Sequence, residues 1–174
     1  YRYSISGNSW GTMTATPVNI GDASYRVASM AWNGSDYLYL SNSNGSDNPI
    51  TYRYSISGNS WYTLPGSSCG NTDNGGMWNV YTNGQLIIYN AGPSTYCRYD
   101  LATETKYSIP SGGPNLGWVY TGRRLIEAAS GKVFAGSGST FYIYDISTNL
   151  WTSYNSYKAG MYGASDSIWI GGEN

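Results

Sequence analysis

The sequence predicts an all-β chain assembled from four copies of one sheet-forming unit, and three observations carry that prediction. The first ten residues, Tyr1–Trp10 (YRYSISGNSW), recur unchanged at Tyr52–Trp61. Two looser copies follow, Cys97–Lys106 (CRYDLATETK) and Tyr142–Trp151 (YIYDISTNLW), so successive copies begin 51, 45 and 45 residues apart. A period in that range marks a repeat architecture. No stretch longer than a turn shows helical periodicity.

Each copy alternates apolar and polar residues (Tyr52, Tyr54, Ile56), enters a polar turn (Ser57, Gly58, Asn59, Ser60) and meets a tryptophan, Trp61. Alternation into a Gly/Asn turn predicts a strand, a tight turn and the start of a second strand. Between the copies lies a second two-stranded unit. Tyr25–Leu40 turns at Asn33-Gly34, Met77–Tyr89 at Asn83-Gly84, Arg124–Ala135 at Ser130-Gly131 and Gly160–Ile170 near Ser165-Asp166. Asn-Gly suits such turns because both central residues take positive φ. Each period therefore holds four short strands: A and B from this second unit, C and D from the ten-residue unit. Four antiparallel strands in about 45 residues form the blade of a β-propeller.

Composition fits one folded domain over residues 1–174. Charged residues are only 11%, while 19 Tyr and 7 Trp supply apolar surface to bury. The net charge of −1 lacks the basic excess of a general nucleic-acid binder. No apolar run approaches the length of a membrane span. Tyr1 opens the chain in mid-repeat without Met, which reads as a processed form or a fragment. Few Lys and Glu among many Ser, Asn and Tyr point to an extracellular or cell-surface location. Asn33-Gly34-Ser35 and Asn44-Gly45-Ser46 fit the glycosylation sequon.

The details resemble the kelch repeat family. Strand B ends in small residues (Ala135-Gly136-Ser137-Gly138, Ile170-Gly171-Gly172), strand C is aromatic, and a Trp opens strand D after a short polar turn. Only the last unit keeps a Gly-Gly pair; Ser41-Asn42 and Asn90-Ala91 stand in the first two, and Lys106 replaces the Trp of the third copy. The expected architecture is a four-bladed propeller, although kelch proteins usually carry more blades. The chain opens with a C and D pair and ends with an A and B pair, so the two ends are expected to complete the fourth blade. Pairing between chains, giving a ring or filament, and derivation from a larger propeller are the alternatives.

No residue set assembles a catalytic or metal site. The chain has no His, so the copper oxidases of the kelch-like class, which rely on His ligands, lend it no activity. Two Cys cannot form a zinc site alone, and no cofactor is expected. Asp100, Asp145 and Glu104 read as turn formers. The loop Asn42–Asn48 carries oxygen-bearing side chains that suit calcium, but too few of them are acidic for a strong site.

Binding is the better expectation. Counting seven residues back from the A–B turns reaches Arg26, Arg123 and Lys158, placed at one mouth of a central channel where cations could hold an anion or pair with nearby Asp. The same face receives the longest loops, and Trp78, Trp118, Tyr25 and Tyr162 lie in or beside them, poised either to stack on sugar rings or to pack internally. Trp10, Trp61 and Trp151 are expected to be buried structural residues. Cys69 and Cys97 fall on one propeller face, where they form a disulfide or remain free thiols. The functional expectation is a non-catalytic module that binds a glycan or protein. A self-assembling structural subunit is the alternative, and a carbohydrate-active enzyme a weaker one.

Overall fold

The computed structural model describes residues 1–17, 29–42, 50–70, 77–91, 94–116, 125–137 and 140–155. They form fourteen strands and, among the described residues, no helix. An N-terminal hairpin pairs β1 (Arg2–Ser4) with β2 (Ser9–Gly11). Three four-stranded antiparallel meanders follow. Sheet I holds β3 (Ser29–Trp32), β4 (Tyr37–Asn42), β5 (Ile50–Ser55) and β6 (Ser60–Thr63). Sheet II holds β7 (Met77–Thr82), β8 (Gln85–Asn90), β9 (Thr95–Asp100) and β10 (Thr105–Ser108). Sheet III holds β11 (Leu125–Ala129), β12 (Lys132–Ser137), β13 (Thr140–Asp145) and β14 (Leu150–Asn155). The A-to-D pattern is therefore present three times, preceded by a C and D pair. The fourth A and B pair, expected over Gly160–Ile170, lies outside the described residues, and with it the closure of the ring.

The turns follow from their residues. Asn83 and Gly84 both take positive φ (47° and 76°), the pairing that a two-residue hairpin between right-twisted strands requires. Asn33-Gly34 behaves differently from that expectation. Only Gly34 is at positive φ, while Asn33 Oδ1 accepts the N–H groups of Ser35 and Tyr37 and so closes a longer loop. In the C–D turns the left-handed residue is not Gly58 but Asn59, and Asn8, Glu104 and Asn149 occupy the same position. Asn tolerates that region, and its side chain has a second use here. Tyr3, Tyr54 and Tyr144 each donate a hydroxyl hydrogen bond to the turn Asn of their own copy. The acidic residues are turn formers as expected. Asp100 Oδ1 accepts from the N–H of Ala102 and Thr103, and Asp145 Oδ1 from the N–H and hydroxyl of Ser147. These hydrogen bonds, the Thr103 N–H foremost for Asp100 and the Ser147 hydroxyl for Asp145, hold both carboxyls below the usual value of 3.8.

The core lies between sheets. Tyr39, Leu64, Met77, Leu86, Ile88 and Tyr99 fill the space between sheets I and II. Trp78, Ile87, Tyr89, Tyr96, Val133 and Tyr144 do so between II and III. Burial pushes the hydroxyls of Tyr39 and Tyr99 up to about 12, so they stay neutral. Tyr99 donates to the carbonyl of Pro65. Two further links join sheets I and II. Cys69, after β6, and Cys97, in β9, form a disulfide with Cα atoms 5.7 Å apart, and both are buried. Asn79 of β7 reaches into sheet I, where its Nδ2 donates to the Tyr39 carbonyl (3.1 Å) and Ser41 Oγ (2.8 Å). Its N–H donates to Ser29 Oγ, which in turn donates to Asn79 Oδ1. From Ser41 the polar chain continues through the Thr51 hydroxyl, and Ser67 Oγ accepts the Thr51 N–H.

The three tryptophans expected to be buried divide. Trp151 packs against the cluster between sheets II and III, and its ring lies so close to Gly113 that a Cβ there would approach within 2.7 Å of it. Trp61 is half-buried, and its indole donates to the Thr14 carbonyl. Trp10 corrects the expectation, for it is 70% exposed. It has the same local sequence as Trp61 and makes the same contact with the tyrosine of its own copy. Among the described residues it has no neighbouring sheet over its other face.

Candidate functional site

Strand A is the first strand of each sheet and lies at its edge. β7 lies against β3 on one side and β11 on the other, so the first strands of three sheets stand side by side. They bound a cleft of about 270 Å³ lined by Met30, Trp32, Val80, Tyr81, Ile126 and Glu127, among others. Met30 and Trp32 are alternate residues of β3 and so share one face of it. Met30, Val80 and Glu127 each lie three residues before the A–B turn residues used to align the units, Asn33, Asn83 and Ser130. On β11 the register shifts between Glu127 and Ala129, a bulge of the kind that re-aims a side chain.

The cleft has an aromatic wall and one carboxylate. Trp32 is 58% exposed, yet its ring is held, because the indole N–H donates to the Ser35 carbonyl at 2.9 Å. Met30 is exposed beside it and Glu127 is exposed opposite. Such a surface offers an apolar plane to one face of a ligand and a hydrogen-bond acceptor to its edge. Among the described residues no group of three or more His, Cys, Asp or Glu stands together as a metal site would need.

Sequence-based site residues fare unevenly. Arg26, Arg123 and Lys158 lie outside the described residues, as do Tyr25, Tyr162 and Trp118. Most of the long loops and all but Asn42 of the Asn42–Asn48 stretch lie outside them too. Trp78 is described, and its reading as a ligand contact is corrected. At 6% exposure it stacks on Tyr89 with ring centroids 5.5 Å apart, a core residue between sheets II and III. Its sequence position, next to a long loop, hid the alternation that points it inward. Met30, Trp32 and Glu127 were missed, although a signal existed. Counting three residues back from the A–B turns, rather than seven, lands on Met30 and Glu127 of the strand wall, and Trp32 directly precedes the Asn33-Gly34 turn.

No protein-family model and no curated protein sequence matches the chain. Solved structures do. The extracellular domain of the one-component system BT4673 from B. thetaiotaomicron aligns over 86% of this chain with a TM-score of 0.56 and 18% identity. A second structure, of the extracellular domain of the hybrid two-component system BT4673 from B. thetaiotaomicron, aligns over 75% at 0.51 and 19%. TolB from Acinetobacter baumannii aligns over 88% at 0.54 and 16%. This chain spans 18%, 17% and 37% of those chains respectively. At such identities the likeness concerns the fold, and it supports an all-β chain of successive four-stranded antiparallel sheets.

Proposed function

We propose that the chain is a kelch-like propeller module acting outside the cell as a non-catalytic binder of a glycan or protein segment, with the first-strand cleft as its contact surface. The observation that carries this reading is Trp32, an exposed aromatic fixed by its indole hydrogen bond within a cleft that also presents Glu127. The C–H face of a sugar ring or an apolar side chain suits the indole plane, and a hydroxyl or amide suits the carboxylate. The buried disulfide supports an oxidising compartment. Burial raises the pKa of Tyr52, Tyr96 and Tyr144, as it does that of Tyr39 and Tyr99, the opposite of what an activated tyrosine nucleophile needs.

A glycan and peptide array tests the reading. Replacing Trp32 with Ala is expected to weaken binding of any hit by roughly tenfold, the equivalent of about 1.4 kcal/mol. Glu127→Gln is expected to change selectivity among hits. Binding that survives Trp32→Ala unchanged would move the site away from the cleft. A second reading, a structural subunit that assembles through its strands, draws on the exposure of Tyr1, Ile5 and Trp10 in the N-terminal hairpin. Concentration-dependent size measurement separates it from the first.

A further inference from the structure

The side chains around the first-strand cleft have little left to donate. Trp32 spends its indole N–H on the Ser35 carbonyl. Asn79 spends both hydrogens of Nδ2 in sheet I, on the Tyr39 carbonyl and Ser41 Oγ. Met30, Ala31, Val80, Leu125 and Ile126 carry no polar hydrogen on their side chains. Of the described lining residues, Tyr81 alone keeps a side-chain donor, and its hydroxyl accepts as well.

Acceptor capacity is the opposite case. Asp36, Asp100, Glu104 and Asp145, the other carboxylates among the described residues, each accept at least one hydrogen bond from a neighbouring N–H or hydroxyl. Glu127 accepts none and has no ion pair among the described residues, although it is exposed. It is also the one charged residue of the described lining. β7 runs between β3, which brings Trp32, and β11, which brings Glu127. The cleft thus joins an exposed indole, an aliphatic floor and a single unspent negative charge.

The ligand that suits such a lining donates hydrogen bonds, carries positive charge and has an apolar stem. Sugar hydroxyls and amides bring acceptors of their own, for which these side chains hold almost no donor. An alkylammonium brings three N–H donors and no acceptor. Its charge is attracted to the indole face and to the carboxylate, and its methylenes lie well on apolar side chains. A guanidinium holds five donors in one plane, of which a single carboxylate takes two, and the others would face the apolar floor.

We propose that the cleft receives a lysine side chain of a protein partner, with its methylene stem along Trp32 and Met30 and its ammonium at Glu127. The inference rests on the cleft being the contact surface and adds the chemical class of what enters it.

The test is a titration of the isotope-labelled full chain, read at the Trp32 indole N–H resonance, which is assigned by its loss in Trp32→Phe. The probes are a short end-blocked peptide with a central lysine, the same peptide with Nε-acetyllysine or norleucine instead, and methyl glucoside. The lysine peptide is expected to shift the resonance saturably and to bind at least about fivefold more tightly than either neutral peptide. Glu127→Gln keeps the shape of an exposed side chain and is expected to abolish that preference. Raising salt from about 0.1 M to about 1 M is expected to weaken the lysine peptide alone, because the charges it uses are open to solvent. Equal binding of lysine and neutral peptides, a preference that survives Glu127→Gln, or tighter binding of methyl glucoside would overturn the lysine assignment while leaving the cleft as the contact surface. An indole resonance unmoved by every probe would remove the cleft itself from that role, and this inference with it.

Discussion

Replacing Cys69 and Cys97 together with alanine is expected to lower the stability of the folded chain by about 3–4 kcal/mol. That is the loop-closure contribution of a cross-link spanning 28 residues in the chain-entropy model. The bridge joins the segment after β6 to β9 and sits among Tyr39, Leu64, Met77 and Tyr99, so its sulfurs also fill the interior between sheets I and II. Small residues in their place leave space that neighbouring rings cannot fill completely, which adds to the loss. Domains of this size unfold at about 5–15 kcal/mol, so the variant should unfold at markedly lower denaturant. Urea unfolding followed by tryptophan fluorescence gives the comparison. An unchanged midpoint would mean that sheets I and II do not depend on the staple.

Asn79→Leu is the second large effect, at about 2–4 kcal/mol. Leucine shares the branching of Asn but is larger, so the loss combines broken hydrogen bonds with overpacking and leaves no cavity. The substitution removes one hydrogen-bond partner each from the buried Tyr39 carbonyl and Ser41 Oγ and from half-buried Ser29 Oγ, at about 1–3 kcal/mol for a buried group left short of a partner. The coupling is specific. In a double-mutant cycle, Ser29→Ala should cost less in the Asn79→Leu background than in the wild type, because the Ser29 hydroxyl's bond to Asn79 Oδ1 is already gone while the main-chain N–H of residue 79 still donates to Ser29 Oγ. Additive losses would show that the two residues contribute separately.

The repeat made the fold legible. Asn83-Gly84, Ser130-Gly131 and the Asn59 turn announce hairpins by local chemistry, and the fixed period places strand after strand. The period put Cys69 and Cys97 on one face, where a disulfide and free thiols were both open, and the bridge forms. What local sequence cannot carry is the identity of the neighbour. Trp10 and Trp61 share nine flanking residues and still differ in exposure, because the difference is made by segments up to 47 residues away, such as Thr14 beneath Trp61. Asn79 meets Ser29 across 50 residues, and in the sequence it is one polar residue among many. The cleft was missed for a related reason. Its lining is set by which way each first strand faces, so Trp78 looked available while Trp32, directly before an Asn-Gly turn, drew no attention.

The central claim is that one β unit recurs with its first strand turned toward the first strand of the next, so that β3, β7 and β11 stand side by side around a shared cleft. Nuclear Overhauser contacts in solution test it most directly. The account predicts cross-sheet contacts from Ser29–Trp32 to Met77–Thr82 and from Met77–Thr82 to Leu125–Ala129. Main-chain pairing should remain confined within each sheet. Absence of contact between these three segments, or a main-chain ladder joining any two of them, would contradict it.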